Sequence, residues 1–475
     1  MEIGCASCKG CGLESCSGCE DDKKYIETEK REIETPDNRV IFTKEMKKTY
    51  TLLAPTMLPM HFRLFQEVFR KNGYNMELLE NEGRKAVDCG VKYVHNDACY
   101  PSICVIGQFI DALQSGKYDV NKVAVIYMQT GGGCRASNYV SLMRKAFARA
   151  GFPQVPIVTI NIAGLEKHPG FKVTVPMYRD LLNCCLYADL MMTLRNQCRV
   201  REVKKGQTDA LCDHWVKKLG KEIWDGKMKY SRVKENMRRM AADFALIERK
   251  PEQPVRVGIV GEIYVKYSPL GNNYLEEFLY KEGAEAVVPG LLDFMYYCVY
   301  NNRLDFELYG MRSDSRLIWK IVCDYFEKKK NDLNEIIRER GVFYGFSSYK
   351  HLLELAKEHH CVGMGMKMGE GWLLTSEMLE LCEMGVSNIV CCQPFGCLPN
   401  HINGKGMIRK IKEHDDRANI VAIDYDPGAP RVNQENRIKL MLAVAKEQLN
   451  KSIEKNNSDE KTESKHVKVR PVKKA

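Results

Sequence analysis

The chain has 475 residues, 44% of them hydrophobic and 28% charged, which is ordinary for a globular protein and long enough for two or three domains with cores of their own. No run of about 18 apolar residues occurs, so no transmembrane helix is expected. The net charge of +10 is modest and comes without basic–aromatic interleaving, which argues against a nucleic-acid binder. The N-terminus, MEIGCASCKG, lacks the layout of a secretory signal. The 20 cysteines therefore read as metal ligands and buried small side chains of a cytoplasmic protein rather than as a disulfide framework.

In chain order, residues 1–35 form a cysteine-rich arm that ends in a polar, acidic stretch. A first α/β domain spans 36–170. It opens with strand Thr49–Ala54 and helix His61–Asn72, whose Leu64, Phe65, Val68 and Phe69 share a face and whose stop is Gly73. Further strands are expected at Asn75–Leu79, Lys92–His95, Lys122–Met128 and Val155–Asn161, with helices at Ser102–Leu113 and Tyr139–Ala150. Residues 171–250 read as helical. A second α/β domain, 251–449, carries strands Val255–Gly261, Ala286–Pro289, Asn388–Cys392 and Asn419–Asp424. Its helices are Asn273–Glu282, a helical insertion Leu292–His360, Thr375–Met384 with Thr375 or Ser376 as N-cap, and a closing helix from about Asn433 to Leu449. A basic, disordered tail is expected over 450–475. Strands alternating with helices of this length predict parallel sheets, here two flavodoxin-like α/β domains with intervening helical segments.

Three cysteines sit in loops of a particular kind. Cys99 lies in HNDACYPS, Cys134 in QTGGGCRASNY and Cys397 in CQPFGCLPNH, the last two just past buried strands. The carboxyl ends of parallel strands form the ligand crevice of such sheets, so loops distant in sequence can meet there. Gly131, Gly132 and Gly133 let the backbone approach a bulky group and offer amides to it. Three thiolates around one crevice would hold a [4Fe–4S] cluster with one iron left without a protein ligand. The alternative is three unrelated buried thiols, against which the glycine and proline settings speak. Cys104, Cys391 and Cys392 are weaker candidates, better read as core.

The arm places Cys5, Cys8, Cys11, Cys16 and Cys19 at C-x2-C-x2-C-x4-C-x2-C, close to a ferredoxin run but with one residue too many before the fourth ligand. An iron–sulfur cluster, a zinc site and a thiol-rich arm all fit it. Glu262 directly follows a strand and Glu370 lies in a GEGW loop. Either is a candidate acid–base group, although a solvated or structural carboxylate is the better reading of both. CVGMGMKMGEG is glycine-rich without being a nucleotide loop, and no G-x-x-x-x-G-K-[ST] occurs.

The segments YVHNDACYPSICVIGQ, VIYMQTGGGCRASNYV, VRVGIVGEIYVKYSPLGNN, GEGWLLTSEM, NIVCCQPFGCLPNHINGKG and AIDYDPGAPRVNQENRIKLML resemble the 2-hydroxyacyl-CoA dehydratase superfamily. The likeness is closest to the dehydratase-like half of its activase-related proteins and runs from about Lys48 to Ala443. The resemblance implies flavodoxin-like domains around an iron–sulfur cluster held by Cys99, Cys134 and Cys397. It also implies low-potential electrons from an ATP-dependent activase, and radical dehydration or reduction of a substrate by a lyase-like enzyme. The alternatives within it are a double-cubane reductase of small molecules and a non-catalytic electron-transfer subunit. The implied partners are the activase and a second copy or related subunit, in a homodimer or heterodimer.

Overall fold

The computed structural model describes residues 39–95, 98–129, 133–160 and 166–466. Cys5, Cys8, Cys11, Cys16 and Cys19, together with Gly131 and Gly132, lie outside the described residues.

The first unit begins with α1 (Lys44–Thr49), β1 (Thr51–Ala54), α2 (Pro59–Lys71), β2 (Asn75–Leu78), α3 (Arg84–Tyr93) and α4 (Tyr100–Gln114). It continues with β3 (Val123–Met128), α5 (Tyr139–Arg149) and β4 (Ile157–Ile160). Three helices follow, α6 (Val175–Arg199), α7 (Gln207–Trp224) and α8 (Tyr230–Ala245). The second unit runs β5 (Arg256–Gly261), α9 (Ile263–Tyr267), α10 (Pro269–Asn272), α11 (Leu275–Lys281), β6 (Glu285–Val287), α12 (Leu291–Tyr309), α13 (Arg316–Arg338) and α14 (Tyr349–Glu358). It closes with α15 (Trp372–Glu383), β7 (Asn388–Pro394), α16 (Leu398–Asn403), α17 (Ile408–His414), β8 (Asn419–Tyr425) and α18 (Arg431–His466).

Among the described residues eight strands pair in parallel, in two four-stranded sheets ordered β2-β1-β3-β4 and β6-β5-β7-β8. Counted within each unit, both orders are 2-1-3-4, so the two halves repeat one topology that their sequences do not announce. The central strands VAVIYM, RVGIVG and NIVCCQP are nearly continuous apolar runs because helices cover both faces of their sheets. Among the described residues no helix is long and apolar enough to cross a membrane.

Four expectations are corrected. Lys92–His95 is not a strand: Lys92 and Tyr93 end α3, which packs on α4 through glycines. A methyl group at Gly90 would lie 2.0 Å from the Ile103 carbonyl oxygen, and one at Gly107 2.0 Å from that of Ala86. The close crossing of α3 and α4 sets the helix here. The helix expected from Thr375 starts three residues earlier, at Trp372, with Gly371 as N-cap at φ +44°. Thr375 and Ser376 are therefore interior and donate to the carbonyls of Asn403 (2.6 Å) and Trp372 (2.9 Å). The helical insertion 292–360 is three helices, α12 to α14, with breaks between them. The closing helix does not stop near Leu449 but continues to His466, so the expected tail is helical at its start.

Glu166, beyond β4, fixes the end of the first sheet to α5 by accepting from Arg144 at 2.7 and 2.6 Å. Burial alone would raise its carboxyl, but hydrogen bonds and charges from His168 and Arg144 bring it from 4.5 down to about 2. A depressed carboxyl stabilises above its unfolded value and loses that contribution as pH falls through its folded one. Glu166→Gln is thus expected to be less stable than wild type near neutrality, with the gap narrowing in acid. Urea midpoints at about pH 7 and about pH 3 read this, and a gap independent of pH would contradict it.

Candidate functional site

The site is built where the strands of both sheets end. Cys134 follows β3, Glu262 follows β5 directly, Cys397 follows β7, and Cys99 is the residue before α4. Backbone contacts knit these segments together. Tyr100 N donates to the Phe395 carbonyl at 3.0 Å, tying the start of α4 to the loop after β7, and Phe395 N donates to Tyr425 O at 2.8 Å. Glu262 N donates to Cys392 O at 3.3 Å, tying the end of β5 to β7.

Glycines allow the closest approaches. A Cβ at Gly396, whose φ is +73°, would lie 3.2 Å from Cys99 Cα and 3.3 Å from Arg135 Nη1. At Gly369, with φ +57°, it would lie 2.9 Å from Pro399 Cγ and 3.9 Å from Cys134 Sγ. At Gly133 it would collide with Met368 Sδ at 2.6 Å. The loops of Cys99, Cys134 and Cys397 and the loop 363–371 thus share one neighbourhood. Of the glycine run, Gly133 is the described member, and it is exposed with Met368 against it on one side.

Cys99 and Cys397 are buried and Cys134 is half-buried. Cys99 Sγ shares a hydrogen bond with the Tyr139 hydroxyl at 2.7 Å, and Cys134 Sγ accepts from Ala136 N at 3.5 Å. Burial pushes all three thiols up, Cys134 to about 11. The negative charges of Glu370 and Glu262 add to the effect on Cys134 and Cys397, and the thiols act on one another, Cys99 on Cys134 and Cys134 on Cys397.

Glu262 and Glu370 are buried rather than solvated. Both turn to the start of α9, where Glu262 caps Val265 N at 2.9 Å and Glu370 accepts from Ile263 N at 3.0 Å. Burial raises both carboxyls, and the charge of Glu370 raises Glu262 further. Neither is the solvated carboxylate that was one expectation for them. They are nevertheless close enough to the thiols to act on them. Cys391 and Cys392 face opposite ways, as strand alternation requires. Cys391 donates toward Asn400 Oδ1 at 3.6 Å, while Cys392 packs beside Gly261. Cys104 lies inside α4 against Tyr100, fully buried.

Thiols are donors that can ligate a metal ion or a cluster. Three thiols come from three loops with glycines beside them, and the same segments carry Arg135, His95 and His401. A cubane takes one thiolate per iron and so spreads its ligands wider than one ion does. Among the described residues, one group of ligand atoms lies within 4.8 Å throughout, and it is elsewhere: His61, Cys185 and Asp189. That buried set could hold one ion, but it does not match an iron–sulfur cluster. Its carboxylate is already engaged. Asp189 Oδ1 accepts from His61 Nε2 at 2.8 Å and Leu291 N at 2.9 Å, while Oδ2 accepts from Leu292 N at 2.9 Å and Cys185 Sγ at 3.7 Å. It thereby pins α2, α6 and the start of α12 together. Burial opposes the charge of Asp189, yet the His61 hydrogen bond and the two amides hold the carboxyl below its usual range.

Sequence reasoning missed Tyr139, Met368 and the buried pair of Lys266 with Glu377, 2.8 Å apart behind the two glutamates. Tyr139 stands five residues after Cys134 but bonds to Cys99, 40 residues away, a distance over which spacing carries no signal. No protein-family model matches the chain, and no curated protein matches it.

Asp189→Ala should cost about 3–5 kcal/mol in chemical denaturation, the usual range when one partner of a buried pair is removed. A loss below about 1 kcal/mol would show that the junction of α2, α6 and α12 does not rest on this carboxylate.

Proposed function

We propose that the chain is an iron–sulfur protein of the 2-hydroxyacyl-CoA dehydratase type, with Cys99, Cys134 and Cys397 as ligands of a [4Fe–4S] cluster. The observation that carries this reading is the convergence of three loops, each bearing one cysteine, beside the ends of β3, β5 and β7. The 2-1-3-4 order of each sheet supports a flavodoxin-like description of both units, since this is the start of the flavodoxin order and its ligand crevice lies at the reversal between strands 1 and 3. Among the described residues, three gathered thiols rather than six favour a single cubane over a double one. When bound, such a cluster supplies one-electron chemistry and an iron open to a substrate oxygen.

The chain's own groups have definable parts in this. The Tyr139 hydroxyl donates to the Cys99 sulfur once that thiol is ionised, and the Ala136 amide does the same for Cys134. Gly133, Gly369 and Gly396 keep side chains out of the space between the loops. Met368, Phe395 and Leu398 stand exposed around it and make its mouth apolar. Glu262 and Glu370 are held by α9 amides at the inner side, where a carboxyl can keep or release a proton without reaching solvent. Electrons would come from a separate ATP-dependent activase, and the reaction would be dehydration or reduction of an acyl substrate.

Iron and acid-labile sulfide per chain after strictly anaerobic purification test the reading. Wild type should carry about four irons at this site, and Cys134→Ala should lose them while keeping its fold. Tyr139→Phe should retain the iron but move the reduction potential to a more negative value, because a hydrogen bond to a ligating sulfur favours the reduced cluster. An iron-free wild type that stays folded and resists reconstitution would overturn the assignment.

A further inference from the structure

The glycine-rich run CVGMGMKMGEG, residues 361–371, joins α14 to α15 and lies against the loops of the crevice. Its two ends are fixed: Cys361 and Val362 are buried at one, and Glu370, Gly371 and Trp372 at the other. Between them Gly363, Gly365, Met366 and Met368 are exposed. The residue before the run, His360, has φ +47°, while Gly369 and Gly371 have φ +57° and +44°. The chain therefore turns through left-handed backbone at both ends. At Gly371 there is no room for a side chain, because a Cβ would stand 2.1 Å from the Met366 carbonyl oxygen and 2.5 Å from the Tyr297 hydroxyl.

The segment is bonded to itself rather than to its surroundings. Met366 N donates to Gly363 O, Lys367 N to Gly365 O, Gly371 N to Met368 O and Trp372 N to Met366 O, at 2.9, 3.0, 3.0 and 2.7 Å. Among the described residues no backbone hydrogen bond joins 363–369 to any element other than the start of α15. The loop of Cys397 is built differently, with backbone bonds from Phe395 to Tyr100 at the start of α4 and to Tyr425 at the end of β8. What holds 363–369 down is an ion pair of Lys367 with Asp305 on α12, together with the packing of Met368 on Gly133 and of Gly369 on Pro399. Asp305 is shared with Arg312, 3.4 Å away. A partly exposed pair of this kind adds little stability, so it fastens the segment reversibly.

The site beside it needs a movable wall. Cys99 and Cys397 are buried and Cys134 is half-buried, so a bulky group reaches all three only where part of the surround gives way. The segment touches that space directly: a Cβ at Gly369 would lie 3.9 Å from Cys134 Sγ.

We propose that residues 363–369 form a lid over the cysteine site, hinged at His360 and Gly371 and latched by Lys367 to Asp305, which opens to admit what binds there. The lid does not depend on which group the cysteines hold.

The test is the rate at which a bulky maleimide labels Cys134 in the full-length, metal-free chain, read by peptide mass spectrometry. Cys89, on α3 beside Gln114 at the far end of α4, is the internal standard. Lys367→Met and Asp305→Asn remove the latch. Each should speed Cys134 labelling about two- to fivefold, the size of a partly exposed ion pair, with Cys89 unchanged. Added salt should speed wild type and leave both variants where they are, because screening weakens the same pair. The lid can also be locked. A Cβ at Gly133 would lie 3.4 Å from Met368 Cγ, close enough for Gly133→Cys with Met368→Cys to form a disulfide. Oxidised, that double variant should label at Cys134 about tenfold more slowly than wild type or slower still, and reduction should restore the rate. Labelling that ignores the disulfide, or that stays unchanged in both latch variants, would overturn the proposal.

Discussion

Everything in this molecule depends on how parallel strands dispose their ends. Parallel pairing forces each strand to return through a helix, so all carboxyl ends of a sheet lie along one edge. Here two sheets of the same strand order bring those edges together. The Tyr100 amide on the Phe395 carbonyl and the Glu262 amide on the Cys392 carbonyl join the start of α4, the end of β5 and the end of β7. The cysteines owe their proximity to these backbone contacts and not to their spacing along the chain.

The electrostatic character of the crevice follows from its depth. Cys99, Cys134, Cys397, Glu262 and Glu370 are acids with little water around them, and each is raised by burial. The cations nearby are Arg135, which borders Gly396 together with Cys99, and Lys266, which is held by Glu377 and still acts on Glu370. A positively charged inorganic group among the thiols would reverse that balance. The Asp189 junction is the opposite case. There the His61 ring and two amides of α12 offset the burial of one carboxylate, and the result is a fixed joint between helices.

Much of the architecture was legible because buried parallel strands write themselves as apolar runs. KVAVIYM, VRVGIVG and NIVCC were each placed to within two residues of a strand. Glycine and proline beside Cys134 and Cys397, each just past a strand, were legible local marks, whereas Cys99 follows the end of α3 and not the strand expected there. What escaped notice depended on contacts between distant segments. The end of α3 looked like a strand until its glycines are seen against α4. The start of α15 was misplaced because Gly371, and not a hydroxyl side chain, caps it. Tyr139 carries no local mark of its bond to Cys99, and the buried state of Glu262 and Glu370 comes from packing around α9. The equal strand order of the two units is a property of topology that residue patterns did not reveal.

The central claim is that one iron–sulfur cluster lies among three loops brought together by two sheets. Its most direct test is anomalous diffraction at the iron edge from crystals grown without oxygen. The account predicts strong anomalous density bounded by the sulfurs of Cys99, Cys134 and Cys397 and by Gly133. Three free thiols at that place, or iron found instead at His61, Cys185 and Asp189, would contradict it.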